Sequence, residues 1–365
     1  MIKLFCSTLC WLLFINADAQ NSCPLGSSCV PRWKCNINHG EGILSDRSAL
    51  SNPCPHDLQM CCWNSSIIEV MSPDANLKCG LRNIKDGNGG DEKLTNFAEF
   101  PWVVAIFVSN DTDKMYIGGG SILTPNMVLT AAHIVCSQQT EDLSVRAGEW
   151  DTRTESEPYS HQERDVVERI CHEHYNKVNF FNDIAVLLLR SELSLNHHIM
   201  PICLPRKYEY PNTERCFVAG WGKDKFTDSA TSNVLRKVDL PIIDHTTCER
   251  QLWKTHLTRY FRLNQSFVCA GGEKEKDTCT GDGGSALFCP LVDHPGQYYQ
   301  LGIVSWGLDC NYEGVPAAYA NVPHLLSWVH TILHALHAKT DYYTPIFNID
   351  YYNREEAFRN KLTLN

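Results

Sequence analysis

Short apolar runs separated by turn residues dominate the middle of the chain. Residues 102–108, 127–130, 184–189, 216–221 and 300–306 are rich in Val, Ile, Leu, Ala and aromatics, and Gly, Pro, Asn and Asp punctuate the intervals. Short segments at such intervals predict the strands of an all-β sandwich or barrel. The period changes once. Leu325, Leu326, Trp328, Val329, Ile332, Leu333 and Leu336 recur at helical spacing behind Pro323, which suits a first helical turn, so one helix closes the run. Two stretches show neither period. Residues 63–78 are polar and read as a linker, and residues 338–365, rich in Tyr, Asn and charge, read as a loosely ordered C-terminal extension.

The start of the chain has a pattern of its own. Lys3 precedes a short apolar stretch that ends at Ala17-Asp18-Ala19, so residues 1–19 read as a secretory signal peptide with Gln20 as the mature start. No apolar run reaches the roughly 18 residues a spanning helix needs, which argues against a membrane. The 365 residues are 43% apolar and 20% charged, an ordinary globular composition with room for two or three domains. A net charge of −10 argues against nucleic acid, whose binding draws on surplus Lys and Arg. Cysteine changes the picture most. Of 18, Cys6 and Cys10 leave with the signal, and the even remainder suits full pairing outside the cell. Asn64, Asn110 and Asn264 each open an Asn-X-Ser/Thr glycan acceptor.

Cys23, Cys29, Cys35, Cys54, Cys61 and Cys62 crowd residues 23–62, a module too small to fold on apolar burial alone, so crosslinks must hold it. The adjacent Cys61 and Cys62 tie together distant points. A zinc site would need CxxC pairs that the module lacks.

Residues 79–337 carry the chemistry. Leu129-Thr130-Ala131-Ala132-His133 ends a strand on histidine, and Asn182-Asp183-Ile184-Ala185 opens another with a carboxylate. Gly281-Asp282-Gly283-Gly284-Ser285-Ala286-Leu287 is a glycine-rich turn, followed by Ser305-Trp306-Gly307. In order and spacing these motifs resemble the chymotrypsin-like serine proteases. The resemblance implies two packed antiparallel β-barrels, with His133 at the general-base position, Asp183 orienting it and Gly283 at the nucleophile position. Glycine has no oxygen to attack with, so no acyl-enzyme forms. Ser285 lies two residues beyond, past a change of chain direction, and does not replace it. Active members are also cut before an Ile-Val-Gly-Gly stretch, whose new terminus pairs with the aspartate corresponding to Asp282. No such site stands between Cys79 and Pro101. Of the specificity pocket, Asp277 matches the residue that binds Arg or Lys, and Trp306 and Gly307 match its wall. Ala317 replaces a usual glycine and narrows it. The pocket is thus either a groove for a basic peptide or a closed relic.

The same resemblance pairs Cys79 with Cys203, Cys216 with Cys289, Cys248 with Cys269 and Cys279 with Cys310. Gly118 and Ile134 occupy the positions of a missing bond beside His133, which leaves Cys136 to pair with Cys171. The N-terminal six resemble the arthropod clip domain, implying Cys23–Cys61, Cys29–Cys54 and Cys35–Cys62. With Gly283, these features resemble the clip-domain protease homologues of the masquerade-like group, non-catalytic cofactors of prophenoloxidase activation. That implies a secreted haemolymph protein of innate immunity whose partners are prophenoloxidase or phenoloxidase and an upstream clip-domain protease. Arg47–Ser48, in the longest cysteine-free stretch of the clip module, is the expected switch cut, with association into oligomers after it. The rival readings are a module that recognises or adheres to microbial surfaces and a protease of unorthodox chemistry. Glu149, Asp151 and Glu157 lie in a loop where some family members hold Ca2+, for which hard oxygen ligands suit. His330, His334 and His337 at i, i+4, i+7 offer a zinc set, read instead as a polar helix face.

Overall fold

The computed structural model describes residues 23–31, 59–64, 78–83, 93–110, 113–154, 157–206, 215–223, 232–274, 281–308 and 313–345. The chain divides into two compact units, Met1–Ser72 and Pro73–Asn365. In the first, β1 (Ser27–Pro31) and β2 (Gln59–Trp63) form an antiparallel pair with Cys29 opposite Cys61. A Cys23–Cys61 disulfide closes it.

The second unit holds two closed six-stranded barrels. The first is built from β3 (Val103–Ser109), β4 (Lys114–Thr124), β5 (Met127–Thr130), β6 (Leu143–Ala147), β7 (Gln162–Cys171) and β8 (Ala185–Leu189), in the order β3-β4-β5-β8-β7-β6, with α1 (Ala132–Val135) after β5. The second uses β9 (Arg215–Gly220), β10 (Arg236–Ile243), β11 (Phe267–Gly271), β12 (Ala286–Leu291), β13 (His294–Trp306) and β14 (Pro316–Asn321), in the order β10-β11-β14-β13-β12-β9, with α2 (His245–Leu252) between β10 and β11. Among the described residues four disulfides fasten this unit: Cys79–Cys203, Cys136–Cys171, Cys216–Cys289 and Cys248–Cys269. The remaining pairings, Cys29–Cys54, Cys35–Cys62 and Cys279–Cys310, each involve a cysteine outside the described residues.

The unbroken apolar run of β3 has a direct cause. Val104 and Ile106 point into the first barrel with Ile122, Val128 and Leu187, whereas Val103, Ala105 and Phe107 point into a core shared with the second barrel. A strand with two buried faces has no polar side to show as alternation. The shared core is aromatic at its centre. Phe288 of β12 lies 4.8 Å from Phe100 and 5.1 Å, edge-on, from Trp102 by ring centroids. Such tilted pairs add to the area they bury.

Helix α3 (Val322–Ala335) ends the barrel unit and drives Leu325, Leu326, Val329 and Leu333 into that core. The Asn321 side chain accepts from His324 N at 3.2 Å and caps its start. His330 and His334 lie on the helix. His337 lies beyond its end with a left-handed φ of 54°, so the three histidines do not form one helix face. The body continues past the expected boundary at 337. Ala338 and Tyr342 pack on the shared core, Tyr343 is buried in it, and Leu204 N donates to Tyr343 O at 2.8 Å. Residues 346–365 lie outside the described residues.

Tyr343→Ala is expected to lower stability by about 3 kcal/mol, the scale for emptying an aromatic core site. Denaturant unfolding of the full chain measures it.

Candidate functional site

The β5–β8 pairing sets Thr130 opposite Ala185, and this register carries the next residues of β5 and the residues before β8 to one place. There His133, in α1, meets Asp183. Asp183 is fully buried and accepts three hydrogen bonds: from His133 N at 2.8 Å, His133 Nδ1 at 2.7 Å and Ser305 Oγ at 2.6 Å. A buried carboxylate needs such donors. They fix the imidazole with Nδ1–H toward Asp183 and Nε2 toward Gly283. Phe180 stands edge-on to the imidazole at 5.6 Å between centroids and holds a left-handed φ of 60°. Neither Phe180 nor the role of Ser305 was evident from spacing alone, because Phe180 reaches the site from the loop before β8 and Ser305 from the end of β13 in the other barrel.

Gly283 occupies the facing turn. A Cβ built there would lie 2.9 Å from His133 Nε2 and 2.9 Å from Ile134 Cδ1. The imidazole and the isoleucine therefore fill the space where a side chain would begin. Gly118 belongs to the same adjustment, since a Cβ there would meet Gly283 O at 2.6 Å and Ile134 at 3.1 Å. The turn itself is held by Gly119 N donating to Gly283 O at 2.9 Å and Gly284 N donating to Val304 O at 3.0 Å. Ser285 is buried on the other side of the turn, its Oγ against Gly119 and Gly220. It does not face the imidazole.

Of the pocket residues, Asp277 lies outside the described residues. Trp306 is held edge-on by Phe261 and Phe267. The Ala317 methyl lies 3.8 Å from where a Gly307 Cβ would stand, an ordinary contact distance.

The region where active family members are cut is tied to the second barrel on both sides of residues 84–92, which are outside the described set. Arg82 donates through Nε to Glu99 at 3.1 Å, and its guanidinium lies 5.0 Å from the Phe100 and Phe217 ring centroids. Lys237 Nζ reaches both Glu99 oxygens, at 2.8 and 2.9 Å. Burial pushes the Glu99 carboxyl up, but the hydrogen bonds from Lys237 and Arg82 outweigh it and hold it below the usual carboxylate range. Nearby, Asp282 accepts from Gly222 N at 2.9 Å. Tyr116 donates to Gly281 O at 2.8 Å, and burial, then the Asp282 charge, push its phenol up.

The three carboxylates considered for calcium do not form one set. Glu149 is buried and accepts from Arg146 at 3.0 Å and Trp150 N at 3.0 Å. Burial raises its carboxyl above the usual range, and a hydrogen bond shared with Glu157 adds to this while Arg146 opposes it. Asp151 instead accepts from Arg153 N. Among the described residues no group of three or more His, Cys, Asp or Glu is assembled that could hold a metal. Asn64 and Asn110 are exposed. The Asn264 side chain accepts from Ser266 N at 2.9 Å. Arg47 and Ser48 lie outside the described residues.

Comparison with known proteins places these features. The family described as Trypsin matches residues 88–329, and that described as Serine protease Clip domain PPAF-2 matches residues 16–63. Phenoloxidase-activating factor 2 of Galleria mellonella is 45% identical over 267 residues, covering 69% of this chain and 87% of that protein. Two proteins of Anopheles gambiae match over greater lengths. Inactive CLIP domain-containing serine protease A8 is 36% identical over 88% of this chain and 92% of its own. Inactive CLIP domain-containing serine protease A28 is 32% identical over 93% and 99%.

Gly283→Ser is expected to give no turnover of Arg or Lys esters, because the new side chain meets an imidazole pinned from three sides. The overpacking should cost about 1–3 kcal/mol. An active-site titrant and a denaturant melt read the two effects, and stoichiometric labelling would refute the first. Glu99→Gln tests the clamp. A carboxyl held below its unfolded value of about 4.3 contributes stability above that pH and loses it as pH falls through the folded value. The variant should therefore lose roughly 3–5 kcal/mol at pH 7. The deficit should shrink below pH 4 as the wild-type carboxyl takes up its proton. Unfolding curves from pH 3 to 8 check this.

Proposed function

The chain belongs to the trypsin family of serine proteases, among its clip-domain homologues, and from that premise we propose that it is a non-catalytic cofactor of prophenoloxidase activation. The observation that carries the reading is Gly283, which faces the Nε2 of an otherwise fully bonded His133–Asp183–Ser305 set without offering an atom to attack a carbonyl. The names of the relatives supply the pathway, since one is a phenoloxidase-activating factor and two are inactive clip-domain proteases.

Its site of action is the haemolymph. The leader at residues 1–19 and a disulfide-fastened body support secretion. Its partners are prophenoloxidase and an upstream clip-domain protease, whose cut at Arg47–Ser48 is the switch. Disulfides across the cut would keep the pieces together, so cleavage changes surface and not mass and exposes an association surface. Glycans at Asn64 and Asn110 would lie on exposed positions.

Reconstitution tests the reading. Prophenoloxidase, its activating protease and this protein are combined, and phenoloxidase activity is followed. The expected result is strong activity only when the full set is present, and loss of the effect in Arg47→Ala. No difference on adding the wild-type chain would end the cofactor reading. A full effect from Arg47→Ala would end the switch alone.

A further inference from the structure

Residues 244–262 depart from the charge of the rest of the chain. They hold Arg250, Lys254, Arg259 and Arg262 against two acids, in a protein whose net charge is −10. The segment runs through α2 and then folds back on itself. Trp253 Nε1 donates to Phe261 O at 2.9 Å, and Leu263 N donates to Glu249 at 2.8 Å. The return lays Arg262 over the ring of Trp253, the residue before Lys254. Arg262 lies 5.5 Å from the Trp253 ring centroid and donates to Arg259 O at 3.0 Å, while Arg250 lies in the last turn of α2 and Lys254 two residues past its end.

All four are exposed, and among the described residues none forms an ion pair. This is unusual for the molecule, where Arg82, Arg146, Arg190, Arg206 and Arg215 each hold a carboxylate. The two local acids each accept from a backbone N–H: Asp244 from Thr247 N, where it caps α2, and Glu249 from Leu263 N. Tyr260 sits among the cations 79% exposed, with the Arg259 guanidinium 5.3 Å from its ring centroid.

We infer that this excursion is a binding site for a sulfated polysaccharide. Guanidinium groups present planar forks of N–H donors that match the oxygens of a sulfate ester, and three of the four cations are arginines. An exposed aromatic ring offers its face to the C–H side of a sugar, which a bare polyphosphate lacks. The inference does not depend on the reading as a cascade cofactor.

The test uses the full chain and heparin as probe. Binding is measured by titration calorimetry from 50 to 300 mM salt, and the expected log affinity falls against log salt at a slope of roughly −3, about 0.9 per neutralised anionic group. Arg259→Glu with Arg262→Glu should weaken binding roughly tenfold or more and flatten the slope by about two. The same reversal at exposed Arg153 should leave both unchanged. Tyr260→Ala should weaken binding without altering the slope, a pattern that lost charge cannot produce. Melting curves establish that each variant is folded. Wild-type affinity and slope in the double reversal would overturn the site. Equal affinity for a ribitol-phosphate polymer of matched charge, unaffected by Tyr260→Ala, would overturn its assignment to a sugar.

Discussion

Everything in the barrel unit depends on one apolar seam. The strands that meet there are buried on both faces, so each residue step along β3 feeds either the first barrel or the core shared with the second. Phe100, Trp102 and Phe288 lock that core, and α3 and Tyr343 close its far side. A site assembled across two barrels is only as fixed as the packing between them. Here Asp183 comes from one barrel and Ser305 from the other, and their 2.6 Å contact requires the seam to be rigid.

That contact gives the arrangement of His133, Asp183 and Ser305 a structural reason for its form. Asp183 is buried without exposure, and its carboxylate would be costly to leave without donors. His133 and Ser305 supply them. The imidazole therefore has a structural task that does not depend on turnover, and replacing it would unsettle the β5–β8 end of the first barrel. Gly283 had no comparable duty. Its turn is held by backbone bonds from Gly119 and Gly284, which any residue of suitable conformation could keep.

Much of this was legible in the residues. The short apolar runs pointed to an all-β sandwich or barrel, and the resemblance of the His133, Asp183 and glycine-rich motifs to the chymotrypsin-like serine proteases implied the paired barrels. The clamp of Arg82, Glu99 and Lys237 was not legible, because Lys237 joins Glu99 across 138 positions and no periodic signal spans such a distance. The polar composition after residue 337 carries no signal of burial, which hides Tyr343 as a core residue. The calcium set failed at Asp151 for a similar reason. A carboxylate two residues before an amide often caps that amide, and spacing alone does not tell a cap from a ligand.

The closeness of Ile134 to Gly283 bears on how reversible the arrangement is. The isoleucine and the imidazole edge fill the space above the turn, and at Gly118, opposite, even a methyl group would strike the turn. A side chain introduced at residue 283 must displace two neighbours instead of entering a vacancy. The geometry of three adjoining residues therefore acts as a latch, because no single exchange among them finds room of its own.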